Sequence, residues 1–288
     1  MRDYVIFVDS ACDISCDLLK EWGVRFCTLS LVLSGDNKEY QDNEIPYGEF
    51  YDKMRNGALP KTSAANMGKF CDAFEGIVKE GYDILYLAFS SGLSATCNFA
   101  REAAEEIMSQ YEGSKITVVD SLCASAGYGL LVKLLVNKKN EGMSMDELAS
   151  YAENTKMHIT HWFTVDDLKY LKAGGRISAT TALLGGMLNI KPVMKVDENG
   201  KLISVSKVRG RKSALKEIAD IYAKTAIDKK DGIVFISHGD CIDDVNLLAD
   251  MIKENSGVDV ELITNIGPVI GSHSGPGTLA LFFLVNER

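Results

Sequence analysis

The segment Ser90-Ser91-Gly92-Leu93-Ser94-Ala95-Thr96 sets several hydroxyls between an apolar run, Ile84 to Phe89, and a stretch patterned like a helix. A strand that leads into a helix in this way brings hydroxyls to unpaired backbone N–H groups at the positive end of the helix dipole. A phosphate or a carboxylate is held well at such a place. The same hydroxyls also serve elsewhere as plain N-caps, and that reading stands beside the first. Related chemistry recurs in Thr62-Ser63, after Pro60, and in the glycine-rich stretch Gly267 to Gly277, which contains Gly271-Ser272-His273-Ser274-Gly275. All three are read as loops that converge on one anion. Glycines on both sides would let His273 approach a ligand closely; a backbone hydrogen bond within a tight turn is the other possible use of its ring.

Familiar catalytic patterns are incomplete. Gly92-Leu93-Ser94-Ala95-Thr96 lacks the closing glycine of a nucleophile elbow, and Gly271 to Gly275 has His273 where the serine belongs. Gly210-Arg211-Lys212-Ser213 echoes the end of a phosphate-binding P-loop, but Val205 occupies the place of its opening glycine. No catalytic residue is assigned. The seven cysteines, Cys12, Cys16, Cys27, Cys71, Cys97, Cys123 and Cys241, include no Cys-x-x-Cys pair and read as buried thiols. His158 and His161 have the spacing of metal ligands but fall in a strand pattern, where residues three apart face opposite sides. No metal is expected.

The elements that must position these groups alternate. Strands are read at Tyr4 to Asp9, Arg25 to Leu33, Ile84 to Phe89 and Ile116 to Asp120, with helices over Met67 to Glu80 and Ser94 to Tyr111. That order implies a mainly parallel sheet with helices on both faces, its ligands bound beyond the carboxyl ends of the strands. After a helix over Ser144 to Met157 the pattern changes. A strand at His158 to Val165 and a short helix near Asp166 to Leu171 precede a hairpin, Lys191 to Lys207, that turns at Glu198-Asn199-Gly200. A helix from Ser213, a strand at Ile233 to Ser237, a helix over Asp243 to Glu254 and strands near Val258 to Thr264 and Thr278 to Val285 complete the chain. The fold class is α/β, with an N-terminal domain over 1–158 and a mixed-sheet C-terminal domain over 159–288.

Composition narrows the function. With 288 residues, 46% of them hydrophobic, the chain can bury a full core. A formal charge of −9 argues against a general nucleic-acid binder. The chain has no apolar run long enough to span a membrane and opens directly into a strand, so a cytoplasmic location is expected. One segment runs against the acidic balance: Lys191 to Lys216 carries eight basic residues, Arg209 among them, against Asp197 and Glu198. It is either a solvated face or a docking surface for an acidic partner or anionic lipid.

Taken in order, Val8-Asp9-Ser10, Lys61-Thr62-Ser63, Ser90-Ser91-Gly92-Leu93-Ser94, Val119-Asp120-Ser121, Leu171-Lys172-Ala173-Gly174-Gly175-Arg176-Ile177, Ile190-Lys191-Pro192 and Ile270 to Gly277 resemble the DegV family nearly end to end. The resemblance implies a carrier of a long-chain fatty acid, like the FakB subunit of bacterial fatty acid kinase, with no activity of its own. A separate kinase subunit would phosphorylate the carboxylate, and contact with an anionic membrane surface would be transient. By position, Thr62, Ser94 and His273 would hold the carboxylate in a cleft between the domains. Ser63, Ser91, Gly92, Arg176, Gly271 and Gly275 would support the pocket, with Arg176 either bridging the domains or near the transferred phosphoryl group. Arg209 would meet the kinase. The acyl tunnel is sought at Leu183 to Leu188; no cofactor is implied beyond the lipid ligand. Ala95 stands where the family usually has glycine, and would crowd the pocket mouth if it adopted positive φ. Ala65 lies where proline is frequent. A stand-alone acyl hydrolase or transferase and a lipid-responsive regulatory protein are the alternatives.

Overall fold

Strand β1 (Tyr4–Asp9) is buried along its whole length, as a strand covered on both faces must be. A computed structural model, describing residues 2–35, 38–178, 189–227 and 232–288, sets β1 inside a four-stranded sheet. The sheet runs β2 (Arg25–Cys27), β1, β6 (Asp83–Ala88), β7 (Ile116–Asp120), and every pairing in it is parallel. Helices α3 (Met67–Lys79) and α4 (Thr96–Gln110) pack together beside it. Phe74 of α3 meets Phe7 edge-on at 5.5 Å, and Phe7 meets Tyr86 at 5.6 Å, so aromatic packing locks helix to sheet.

The expected strand from Arg25 to Leu33 is in fact two. Between Cys27 and Ser30 the chain leaves the parallel sheet, where the Leu29 N–H donates to Ser10 Oγ at 3.0 Å. Strand β3 (Ser30–Leu33) then joins a separate antiparallel sheet in the order β4 (Glu39–Gln41), β3, β5 (Pro60–Ser63). The segment around Thr62 is therefore a strand, with Thr62 opposite Leu31, rather than the loop expected. Helix α2 (Tyr47–Arg55), which follows α1 (Cys16–Glu21) in the chain, was not apparent in the apolar pattern.

Helix α5 (Ser125–Asn140) also escaped that pattern, because it is buried nearly all round and so lacks a polar stripe. It reaches the strands Ile159–Thr164, Phe235–His238 and Leu279–Leu284 of the second sheet and links the two domains. Helix α6 (Met145–Thr155) opens on a capping box in which the Ser144 N–H donates to Glu147 Oε2 at 3.0 Å.

The C-terminal domain is built on a mixed six-stranded sheet. Its order is β10 (Leu202–Arg209), β9 (Ile190–Val196), β8 (Ile159–Thr164), β13 (Leu279–Leu284), β11 (Phe235–His238), β12 (Leu262–Asn265). Only β11 and β12 pair in parallel. Helices α8 (Arg211–Thr225) and α9 (Ile242–Ser256) enclose a small core with it, while the larger core runs through both domains. The short helix α7 (Lys169–Ala173) stands before Arg176, and α10 (Pro268–Ser274) replaces the glycine-rich loop expected there. Pro268 at its first position suits a helix start, since the missing N–H has no intrahelical partner to lose.

Not every cysteine is buried, and His158 lies outside the strand expected to hold it. Cys12, Cys27, Cys97 and Cys123 are buried, whereas Cys16, Cys71 and Cys241 are half-buried; all seven are free thiols. His158 precedes β8 in a 3₁₀ turn and its Nδ1 lies 3.2 Å from the Val285 carbonyl, while His161 is buried and its Nε2 accepts from the Ala124 N–H. The expected tunnel segment Leu183 to Leu188 lies outside the described residues.

Candidate functional site

Thr62 on β5 and His273 in the last turn of α10 come together at 2.7 Å, Thr62 Oγ1 to His273 Nε2. Arg176, just beyond α7, brings Nη1 to 3.5 Å from His273 Nδ1. The guanidinium is itself fixed by two carbonyls, Leu93 at 3.1 Å and Gly174 at 2.5 Å. Arginine can only donate, so Nδ1 is the accepting nitrogen and Nε2 carries the ring proton. Nε2–H then donates to Thr62 Oγ1. The Thr62 hydroxyl hydrogen is left to point at a ligand.

Burial and the positive charge of Arg176 together hold the His273 pKa down at about 4. The ring is neutral at pH 7. Burial likewise lowers the Arg176 pKa, but not enough to discharge a guanidinium. Gly174 is what allows the ring so close: a Cβ there would lie 2.2 Å from His273 Nδ1. The run Gly174-Gly175-Arg176 is the only mark this close approach leaves on the sequence.

Ser94 sits just before α4. Its Oγ accepts the Thr96 N–H at 3.3 Å and lies 2.8 Å from Thr96 Oγ1. With Thr96 donating in that pair, the Ser94 hydrogen is available to a ligand. Ala95 has φ −75°, so its methyl meets no positive-φ strain and the departure from glycine is accommodated. Ala65 is buried.

These groups stand at an apolar cavity drawn from both domains. Leu29, Phe89 and Leu93 line it from the N-terminal side, and Phe163, Leu171, Val196, Leu202, Ile270 and Phe282 from the C-terminal side. Ser63, Ser94, Arg176 and His273 also line it, and Thr62 reaches it through His273. The other expected support residues do different work. The Ser91 N–H donates to Asp120 Oδ1 at 3.2 Å. Gly92 lets the β9–β10 hairpin tip approach, since a Cβ there would lie 2.5 Å from the Asn199 carbonyl. Gly271 and Gly275 make room for Tyr51 and Tyr170. Arg209 is exposed on the edge strand β10, opposite Ile190, away from the cavity lining.

Among the described residues no cluster of His, Cys, Asp or Glu could hold a metal ion, and no helix is long and apolar enough to cross a membrane. Among the described residues no base is hydrogen-bonded to Ser94: its hydroxyl meets Thr96, and the His273 imidazole is engaged by Thr62 and Arg176. The arrangement can hold an anionic oxygen and bury an apolar tail.

Fold and site together define a two-domain α/β protein with an apolar cavity drawn from both domains, Ser63, Ser94, Arg176 and His273 among its lining. The chain belongs to the DegV family, whose model matches residues 3–286. It is 44% identical to a DegV domain-containing protein of Clostridium perfringens, over 100% of this chain and 99% of that one. Among solved structures it resembles a fatty-acid-binding DegV family protein from Thermus thermophilus, with TM-score 0.88, 32% identity, and 99% and 100% of the two chains covered. A stearic-acid-binding protein from Eubacterium ventriosum matches with TM-score 0.89 at 25% identity over 98% of each chain.

Proposed function

We propose that this chain binds a long-chain fatty acid, with Thr62 and Ser94 donating to the carboxylate and the acyl chain in the apolar cavity. The observation that carries this reading is the neutral His273: by donating to Thr62 it turns that hydroxyl outward as a donor, beside apolar walls. Hydroxyl donors hold a carboxylate without neutralising it, which leaves it nucleophilic enough to attack a phosphoryl donor. The fatty acids named for the Thermus and Eubacterium relatives support the choice of ligand.

The chain acts as a carrier without activity of its own, handing its ligand to a separate kinase subunit. That Ser94 meets Thr96 and no base among the described residues favours this over a stand-alone acyl hydrolase or transferase. In this reading the domains divide after residue 158, the exposed Arg209 meets the kinase, and contact with anionic membrane is transient. Ser63 shapes the pocket from its lining, and Ser91, Gly92, Gly271 and Gly275 shape it at one remove.

Native mass spectrometry of the purified protein, followed by denaturation and identification of what is released, tests the proposal. One equivalent of long-chain fatty acid is expected. A chain that is empty and also takes up none when it is offered would overturn the reading.

A further inference from the structure

Helix α10 is gripped at both ends by one small sheet. At its far end His273 meets Thr62 of β5. At its near end the Val269 N–H donates at 2.7 Å to Asp42 Oδ1, and Asp42 directly follows β4 of the same sheet. Leu31 of β3 pairs with Tyr40 on one side and Thr62 on the other, so the two grips share one rigid frame. A second carboxylate joins the first: the Gly267 N–H donates at 2.8 Å to Asp13 Oδ1, while Asp13 Oδ2 accepts from Ser125.

Both carboxylates are buried. A carboxyl group is costly to bury, and burial together with the neighbouring Asp42 pushes the Asp13 pKa well up, so packing alone does not account for the pair. They answer a specific need. The first N–H groups of a helix have no intrahelical partner, and a helix with only seven residues has few other bonds to fix its orientation. Gly267 completes the clamp, because a Cβ on it would stand 3.0 Å from Asp13 Oδ1 and 3.2 Å from Asp42 Oδ1. Asp13 is itself locked, with φ 51° and a carbonyl that accepts from Thr264 Oγ1 at 2.8 Å.

We infer that Asp42 and Asp13 are positioning residues for the head-group site: by anchoring the first turn of α10 they hold His273, at the helix's other end, against Thr62 and Arg176. Only the lipid readout below rests on the proposed function. Release of the first turn lets the helix rotate, and the imidazole then escapes both its burial and the guanidinium.

The test follows the His273 ring by NMR across a pH titration of the full, lipid-free chain, assigned with His273→Gln. Asp42→Ala removes the acceptor and is expected to raise the His273 midpoint toward the ordinary imidazole value. It should also speed fatty-acid release about tenfold, as loss of one buried hydrogen-bond partner implies. Asp42→Asn, which keeps a carbonyl acceptor, should restore most of both. Gly267→Ala probes the clamp from the helix side without removing a charge, and its φ of −64° suits alanine; a smaller rise is expected. A folded Asp42→Ala or Gly267→Ala whose His273 midpoint equals that of the parent overturns the positioning role. If the midpoint moves while release is unchanged, the positioning role stands and the assignment of His273 to the fatty-acid head group fails.

Discussion

Thr62 Oγ1 and His273 Nε2 meet at 2.7 Å across 211 positions of sequence, and the proton they share belongs to the histidine. Arg176 fixes that polarity from the far side of the ring, because it can only donate to Nδ1. The Thr62 hydroxyl hydrogen is thereby left free to donate, and the proposed head-group site rests on that one tautomer.

Thr62→Val keeps the side-chain shape and removes that donor, and Ser94→Ala removes the second. Each should weaken fatty-acid binding about tenfold and the pair about a hundredfold, at the level of one buried hydrogen bond per site. Displacement of a fluorescent fatty acid measures this, with circular dichroism to check the fold. Undiminished affinity in the folded double variant would refute the site.

His273 should mark the stability of the lipid-free protein with pH. Its folded pKa, about 4, lies below the unfolded value of 6.5, so between these the unfolded chain binds the extra proton and stability falls as pH falls. Asp42 works oppositely, since burial raises its pKa from 3.8 to about 6 and acidification relieves a buried charge. The two partly cancel in the total. The advantage of the parent over His273→Gln isolates the histidine, and it should shrink by about 3 kcal/mol at most between about pH 7 and about pH 4. Urea denaturation at both pH values reads it, and an advantage that does not vary with pH contradicts the buried neutral ring.

Gly127 on α5 sets how far two cavity-lining rings stand back. A Cβ there would lie 2.3 Å from His161 Nε2 and 2.6 Å from Phe282 Cδ1, both of which line the cavity. Gly127→Ala should therefore drive the rings toward the lumen, turn binding preference to shorter acyl chains and cost about 1–3 kcal/mol through overpacking. Competition among saturated acids of graded length decides it. An unchanged preference would mean that the rings yield elsewhere.

Arg209 shares the exposed face of β10 with Lys207 and with Ile203 and Val205, which are 36% and 50% exposed. Other members of the basic run are engaged locally: Lys191 pairs with Asp166 at 2.6 Å and Arg211 with Asp244 at 2.9 Å. If the kinase docks here, Arg209→Ala should lower acyl-phosphate formation most at low salt and leave lipid affinity alone. Equal loss of lipid binding would show that the residue serves the pocket instead.

Local chemistry made much of the fold legible. The apolar run Tyr4 to Val8 announced β1, and Asn199-Gly200 announced the hairpin. Thr62, Ser94 and His273 were identified from their place in ordered motifs. Periodicity failed where burial was complete, as in α5, and where strands were too short to show alternation, as in β4 and β5.

The sequence by itself determined which groups were available: hydroxyls, one imidazole among glycines, an arginine after two more, and enough apolar residues to wall a cavity. Only the tertiary structure decided how they act. Asp13 and Asp42 carry no motif, and they gain their part solely because folding brings them to the first turn of α10. The histidine's protonation state has the same origin. Burial and a guanidinium contributed from 97 positions away select its charge and tautomer, and such long-range electrostatics leave no mark on local sequence.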